Sequence, residues 1–348
     1  MTIATHQSIR AGQNTPTAAT HNPAWATAYD CGNGSVKLII NSAEIRIPSY
    51  IQPILFPLRD VPATGFVEYL DGDRTDLISR KWVGGISAYH LNPTTLTRVV
   101  DSLSSKIELG LQLLLSALTE LPHRDQWHFA LIASIHDAQA MGEKMGKALR
   151  GTHRVKLGSQ LSTVTIDVIR VLEEGAAAIV EHRSELDLSG QNLIYDFGNG
   201  TLALSMFGAK GKLLDRQIFP GGVETLIDAI ARNLETRKQL SEEGDRHLIH
   251  SEIERKDFLY SKRSGWNFRS VYEAEIKPWV ASNLAPVIKA ASKWEMADAH
   301  LAIGGGSQLP LISQLLAARG ISAVSDGVWA NARGMSKLAH AKVEAAQP

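Results

Sequence analysis

Asp30 and Asp196 open the same short phrase: Tyr29-Asp30-Cys31-Gly32-Asn33-Gly34-Ser35 early in the chain, and Tyr195-Asp196-Phe197-Gly198-Asn199-Gly200-Thr201 beyond its middle. Glycines two and four places after the acid let the backbone turn tightly enough to aim successive N–H groups at one anion. Ser35 and Thr201 add hydroxyl donors at the same distance from each acid. Two such turns suit a phosphate. The leading carboxylates would repel phosphate directly, so Asp30 and Asp196 are expected as outer ligands of Mg²⁺, which keeps several waters and takes few carboxylates. Lys37 belongs to the first copy alone, Ala203 standing at its place in the second. A lysine there can cross back over a hairpin toward a terminal phosphate as a point charge. One copy by itself reads equally well as an ordinary β-hairpin turn, for which Asn-Gly is a favoured pair. Recurrence with both flanks intact favours the phosphate reading and implies two similar folding units.

A third glycine element, Ile303-Gly304-Gly305-Gly306-Ser307, follows a short apolar run from His300 and precedes a helix expected from about Pro310. This strand–turn–helix lets backbone approach a flat ligand closely.

The elements that must position these residues are legible in pattern. Alternation from Tyr29 to about Ser49 predicts a hairpin turning near Asn41-Ser42-Ala43, and a second hairpin joins Phe66–Leu70 to Leu77–Val83 around an acidic turn at Asp71-Gly72-Asp73. Apolar residues stepping by three or four predict a helix over Leu96–Leu121, packed on a sheet through Val100, Leu103, Ile107, Leu111, Leu114, Leu118 and Leu121. A strand over Trp127–Ile135, a helix over Asp137–Leu149, a strand over Leu161–Leu172 and a small-residue helix from Glu174 follow. The second unit starts at Leu193, turns at Gly208-Ala209-Lys210-Gly211, and continues with helices over Val223–Leu240, Ser251–Phe258 and Val271–Trp294; a last helix, about Arg333–Ala346, returns to the first unit. The expected organisation is a tail over residues 1–24, a first domain over 25–190 completed by 325–348, and a second over 191–324.

Composition bounds the partners. Lys+Arg and Asp+Glu both number 36, so net charge makes no case for binding nucleic acid or an anionic membrane. The single cysteine, Cys31, excludes an intrachain disulfide and suits a reducing cytoplasm; tucked inside the first turn, it reads as a small packing residue rather than a nucleophile. The first 29 residues hold no Asp or Glu and no apolar stretch resembling a signal peptide, and no window approaches a membrane span. His136, His153 and His300 are too scattered for metal-ligand spacing.

On these residues the chain resembles the actin, heat-shock chaperone and sugar-kinase ATPase superfamily. Asp30–Lys37 matches its phosphate 1 motif, Asp196–Thr201 its phosphate 2 motif and Ile303–Gly306 its adenosine motif. Leu172-Glu173-Glu174-Gly175-Ala176-Ala177-Ala178 resembles the first connecting helix, and Val328-Trp329-Ala330-Asn331-Ala332-Arg333-Gly334-Met335 the second. Within the superfamily the chain is most similar to bacterial ParM/StbA and archaeal-type actin-like proteins, through Ile47-Pro48-Ser49, Trp82–Ala88 and Phe219–Leu226. Asn199 stands where actins often carry a second acid, and no proline precedes Glu173.

The resemblance implies an α/β, two-domain actin-like ATPase fold, with duplicated mixed sheets flanking a nucleotide cleft. It implies ATP (or GTP) with Mg²⁺ between the halves, held by residues 30–37 and 196–201, by Gly304, Gly305 and Gly306, by Gly221 and Gly222 near the ribose, and by Glu254 or Lys256 near the adenine. Glu174, with Glu173 behind it, is the expected acceptor for the attacking water, although acids there also suit a helix N-terminus. The implied activity is ATP hydrolysis coupled to filament assembly in the cytoplasm, with copies of this chain as partners. Plasmid DNA would be reached through a DNA-binding adaptor rather than by direct nucleic-acid or membrane contact. A small-molecule kinase of the same fold is the alternative; no substrate-base signature accompanies it.

Overall fold

The computed structural model describes residues 24–99, 104–184, 186, 189–262 and 264–346. The expected tail, apart from residue 24, and the helix positions Val100 and Leu103 lie outside the described residues.

Fifteen strands among these residues form two sheets. The first holds β1 (Trp25–Cys31), β2 (Ser35–Ile40), β3 (Ala43–Pro48), β4 (Tyr50–Pro53), β5 (Phe66–Gly72), β6 (Lys81–Gly84), β7 (Thr97–Arg98), β8 (Gln126–Ile135), β9 (Gly151–Leu157) and β10 (Gln160–Glu173), in the order β3-β2-β1-β8-β10-β9-β5-β6-β4-β7. The second holds β11 (Asn192–Phe197), β12 (Thr201–Gly208), β13 (Lys212–Pro220), β14 (Ala299–Ile303) and β15 (Ser322–Ala323), in the order β13-β12-β11-β14-β15.

The repeated phrase is the seam of a repeated sheet. In β3-β2-β1-β8-β10 two antiparallel pairings lead into two parallel ones, and β13-β12-β11-β14-β15 repeats both the order and the directions. Each parallel pairing needs a helical crossover. In the first half the crossovers include α2 (Ser105–Leu118) and α3 (Ala138–Leu149), with α1 (Ile86–Leu91) between β6 and β7. After the short α4 (Ala176–Glu181), the second half uses α5 (Val223–Arg232), α6 (Leu234–Leu240), α7 (Arg246–Arg255), α8 (Arg269–Trp279), α9 (Ala285–Ala291) and α10 (Ile312–Ala317). The closing α11 (Ala330–Ala345) leaves the second sheet and packs on the first.

Each half buries its own core, Tyr29, Leu38, Trp82, Leu114 and Phe129 in one, Tyr195, Leu204, Phe258, Tyr272 and Trp279 in the other. Two smaller clusters join them. Ala177 of α4 packs with Met335 and Ala339 of α11 on the first sheet, while Ala178 and Ile179 face Ile194 and Ile303 of the second. Small side chains on α4 and α11 thus let both sheets approach one shared pair of helices.

Several elements depart from the sequence expectation. Of the helix predicted over Leu96–Leu121, Ser105–Leu118 is helical, while Thr97 and Arg98 instead pair as an edge strand with Ile51 and Tyr50 of β4. The helix over Val223–Leu240 breaks at Asn233, whose backbone is extended and whose side chain accepts from Glu235 N to start α6. α7 starts at Arg246, earlier than Ser251, since Asp245 caps it by accepting from Leu248 N. The helix from Val271 is two helices and a π turn, Val280–Leu284, following Pro278. β9 was not anticipated; it pairs antiparallel with β10 through Gly151–Leu157.

Candidate functional site

Both glycine turns sit at the ends of equivalent strands, β1 and β11, and open on one cleft of about 1000 Å³, solvent-connected space included. A β-carbon added to Gly34 would lie 2.7 Å from Cβ of Asn199, so the two tips touch across the gap. Asp30 and Asp196 line the same cleft, as do Gly32, Asn33, Gly34, Ser35, Lys37, Glu174, Gly198, Asn199, Gly200, Thr201, Glu254 and Gly304–Gly306. Gly304 has φ 81°, and a side chain there would run into Asp196 Oδ1 and Phe197 O at 2.6 Å, so glycine lets this turn close over the second phosphate loop.

Four expected residues lie elsewhere. Glu173 does not line the cleft: it accepts from Ala138 N at 2.8 Å, capping α3, and pairs with Arg216 at 2.8 Å. Glu173 ends β10 whereas Glu174 opens the turn into α4, which separates the two acids. Gly221 and Gly222 sit behind the second turn rather than in the cleft, where Gly222 N donates to Gly200 O at 3.2 Å. Lys256 ends α7 with φ 60°, exposed and turned away, while Glu254, two residues earlier, lines the cleft.

Charge is arranged unequally between the two acids. Asp30 lies directly opposite Lys37 in the β1–β2 register, and Lys37 Nζ donates to it at 3.1 Å. Ser134 of the neighbouring parallel strand donates to Asp30 Oδ1 at 3.1 Å, and Asn331 Nδ2 donates to Ser134 Oγ at 2.9 Å. Burial pushes the Asp30 carboxyl up, but the Lys37 and Lys106 charges and the hydrogen bonds from Lys37 and Ser134 outweigh it and hold the group below its ordinary value. Asp196 has Ala203 across the hairpin in place of a lysine. Burial, then the charges of Glu174 and Asp30, push its carboxyl up to about 6. No hydrogen bond or ion pair to that carboxylate is found among the described residues.

The donor set fits a hydrated divalent cation with phosphate. Among the described residues Asp196 has no directly paired cation, the Lys37 and Lys106 charges only partly offsetting its burial, and buried Asn331 Oδ1, also facing the cleft, has no partner. No group of three or more His, Cys, Asp or Glu side chains among the described residues is placed to hold a metal by itself. Mg²⁺ matches that pattern because it fills most of its octahedron with water and phosphate oxygens.

Three lining residues escaped the sequence reading. Arg46 donates to Ser35 Oγ at 3.0 Å and forks onto Glu254 of the other half at 2.7 and 3.3 Å. His250 lies 3.5 Å from the same carboxylate. Lys106, one residue into α2 and 8% exposed, pairs with Glu174. Tyr29, beside Asp30, fixes that helix by donating to Gly110 O at 2.7 Å. Only Lys106 left a trace in the sequence, as a lysine on the same helical face as Gly110, Leu113 and Ala117. Cys31 is fully buried and its thiol is pushed up to about 11, chiefly by burial, consistent with packing rather than nucleophilic use. His153 and His300 are held by Tyr69 and Tyr195 at 2.8 and 2.9 Å.

Two duplicated five-strand cores closing their glycine turns on one cleft are the actin-like fold. Solved structures agree. ParM of Bacillus thuringiensis with AMPPNP superposes with a TM-score of 0.68 at 17% identity, covering 92% of this chain and 99% of that one. An archaeal actin homologue gives 0.68 at 15% identity over 90% and 99%, and apo psk41 ParM gives 0.59 at 16% identity over 93% and 100%. Residues 28–176 match the family described as actin like proteins N terminal domain. No curated protein matches the chain.

Proposed function

We propose that the chain is an ATPase that binds MgATP between its halves and assembles nucleotide-dependent filaments of its own copies, serving DNA segregation through an adaptor. The observation that carries this reading is the meeting of two mirrored Asp-x-Gly-Asn-Gly turns across one cleft, with neither half completing the site alone. Backbone N–H groups of both turns would hold the phosphates, and Lys37 would supply a point charge beside them. Asp30 and Asp196, with Asn331 Oδ1, would receive the waters of a bound Mg²⁺. That ion, when present, neutralises phosphate charge as the terminal bond breaks. Gly304–Gly306 would let backbone lie against the nucleoside, and Glu254 sits at the same wall. Glu174 would accept a hydrogen bond from the attacking water, since it alone of the neighbouring pair Glu173 and Glu174 faces the cleft.

The fold neighbours lend support: one is described as bound to AMPPNP, and another ParM as a non-polymerisable quadruple mutant. Charge neutrality of this chain, 36 cations against 36 anions, favours reaching DNA through an adaptor. Light scattering and pelleting with Mg²⁺ and ATP, against ADP and against EDTA, test the reading. The expected outcome is rapid polymer with ATP that disassembles as phosphate is released. Soluble monomer in every nucleotide state, with phosphate transferred to a small metabolite, would replace this reading by a kinase.

A further inference from the structure

Two lysines and three carboxylates share the inner end of the cleft: Lys37, Lys106, Asp30, Asp196 and Glu174. Their pairing is not symmetrical. Lys37 lies directly opposite Asp30 in the hairpin register and donates to it at 3.1 Å, within a set that also includes Ser134. Lys106 and Glu174 make a simpler pair: among the described residues each side chain has the other as its single hydrogen-bonding partner. Breaking that pair gives up one hydrogen bond, while the Lys106 charge continues to act on Asp30 and Asp196.

We propose that Lys106 is the cleft's sensor of a terminal phosphate, leaving Glu174 for the γ-phosphoryl group of a nucleoside triphosphate and thereby freeing Glu174 to hold the attacking water. This rests on the nucleotide reading given above. Three features support it. Lys106 is anchored by its helix, not by the cleft wall, and its flexible four-carbon stem carries a compact charge that can be handed from one acceptor to another. A terminal phosphate carries more negative charge than one carboxylate, so in a partly desolvated cleft it outcompetes Glu174 for the ammonium. Glu174 stays 24% exposed at its side chain, so that once released it can accept from water, whereas Lys106 at 10% cannot remain there without a counter-charge. In a diphosphate state the pair re-forms and Glu174 is again occupied. Turnover would then be licensed by the group about to be cleaved.

The test is the affinity of Mg²⁺ complexes of AMPPNP and ADP, measured by titration calorimetry on the full chain. Lys106→Met should weaken AMPPNP by about tenfold or more while moving ADP by no more than about twofold. Glu174→Gln, which removes the competitor, should tighten AMPPNP and leave ADP unchanged. Lys106→Met alone strands a carboxylate beside Asp196 and can cost the fold, so Lys106→Met/Glu174→Gln, neutral as a pair, must show the same AMPPNP-selective loss. Equal weakening of both nucleotides, or no response of AMPPNP to Glu174→Gln, would overturn the sensor. A wild-type protein that binds neither nucleotide would sink the cleft reading and the sensor with it. Normal wild-type binding with no selective loss would sink the sensor alone.

Discussion

At the scale of single residues, Asp30 and Asp196 show how one motif acquires two electrostatic characters. The first is neutralised in place by Lys37, Ser134 and the Asn331 relay; the second is buried beside two other acids. For an acid whose folded value is raised, the sign is unfavourable: the penalty is absent below the ordinary 3.8, grows as pH rises, and is complete above about 6. Such a shift corresponds to a cost on the order of 2–3 kcal/mol at neutral pH. Asp196→Asn should therefore raise the melting temperature of the nucleotide-free protein by a few degrees at pH 8, with the gain shrinking as pH falls from 6 toward 4. The same variant should lose Mg²⁺-dependent nucleotide affinity. Scanning calorimetry at both ends of that pH range checks the stability half; an unchanged melting temperature at pH 8 would mean that Asp196 is not strained. A residue kept at a cost to stability is the expected mark of a binding group.

At the scale of elements, the site depends on helices that touch it only at their ends. α4 and α11 cross where Gly334 meets Ala177, and a β-carbon at position 334 would fall 1.8 Å from Ala177 O. No rotamer relieves a clash with backbone, so Gly334→Ala should cost about 1–3 kcal/mol or more by overpacking, read as a lower urea midpoint at unchanged slope. A wild-type midpoint would mean that the two helices can slide apart freely. Gly334 was within the second connecting segment singled out from sequence, yet its role was not legible, because the contact spans positions 177 and 334. What sequence did convey was local: the hairpin turning at Asn41, the strand from 127 to 135, and the capped helix after Asp137, all set by alternation, period and turn chemistry. The second expected hairpin pairs Phe66–Glu68 with Lys81–Val83, but its return strand starts at Lys81 rather than Leu77, because Thr75–Leu77 forms a 3-10 turn after Asp73. Helix starts went wrong where tertiary pairing overrode local pattern, as at Thr97-Arg98, or where Asn233 and Asp245 served as caps inside runs that looked continuous. The turns' cleft was readable because each carries its chemistry within seven residues. Arg46 and Lys106 were not, since their partners lie 208 and 68 residues away; His250 stands i,i+4 to Glu254 on α7, but only the fold brings that helix face to the cleft.

At the scale of the whole molecule, the halves are joined by two kinds of contact with different strengths. Around α4 and α11 the joint is apolar and packed, and Arg216 reinforces it by bridging to Glu173 at 2.8 Å and to Glu174 O at 2.7 Å. Beside the turns the ties are polar and partly solvated: Arg46–Glu254 at 2.7 Å, Arg98–Glu224 at 2.5 Å, and the Tyr89 hydroxyl on Asp245. Partly exposed ion pairs contribute about 0.2–1 kcal/mol each and are screened by salt. Two of them together hold closure by about 1 kcal/mol, a factor of about five in the ratio of closed to open molecules. That is small enough for a ligand gripped by both turns to dominate. Arg46→Ala/Arg98→Ala should therefore leave thermal stability within about a degree or two of wild type while increasing the nucleotide-free radius of gyration in small-angle X-ray scattering. High salt should move wild type in the same direction, and Mg²⁺ with AMPPNP should return both proteins to one compact curve. Identical scattering for variant and wild type without nucleotide would show that the apolar joint alone sets the cleft, and would assign the cross-cleft arginines to the nucleotide rather than to closure.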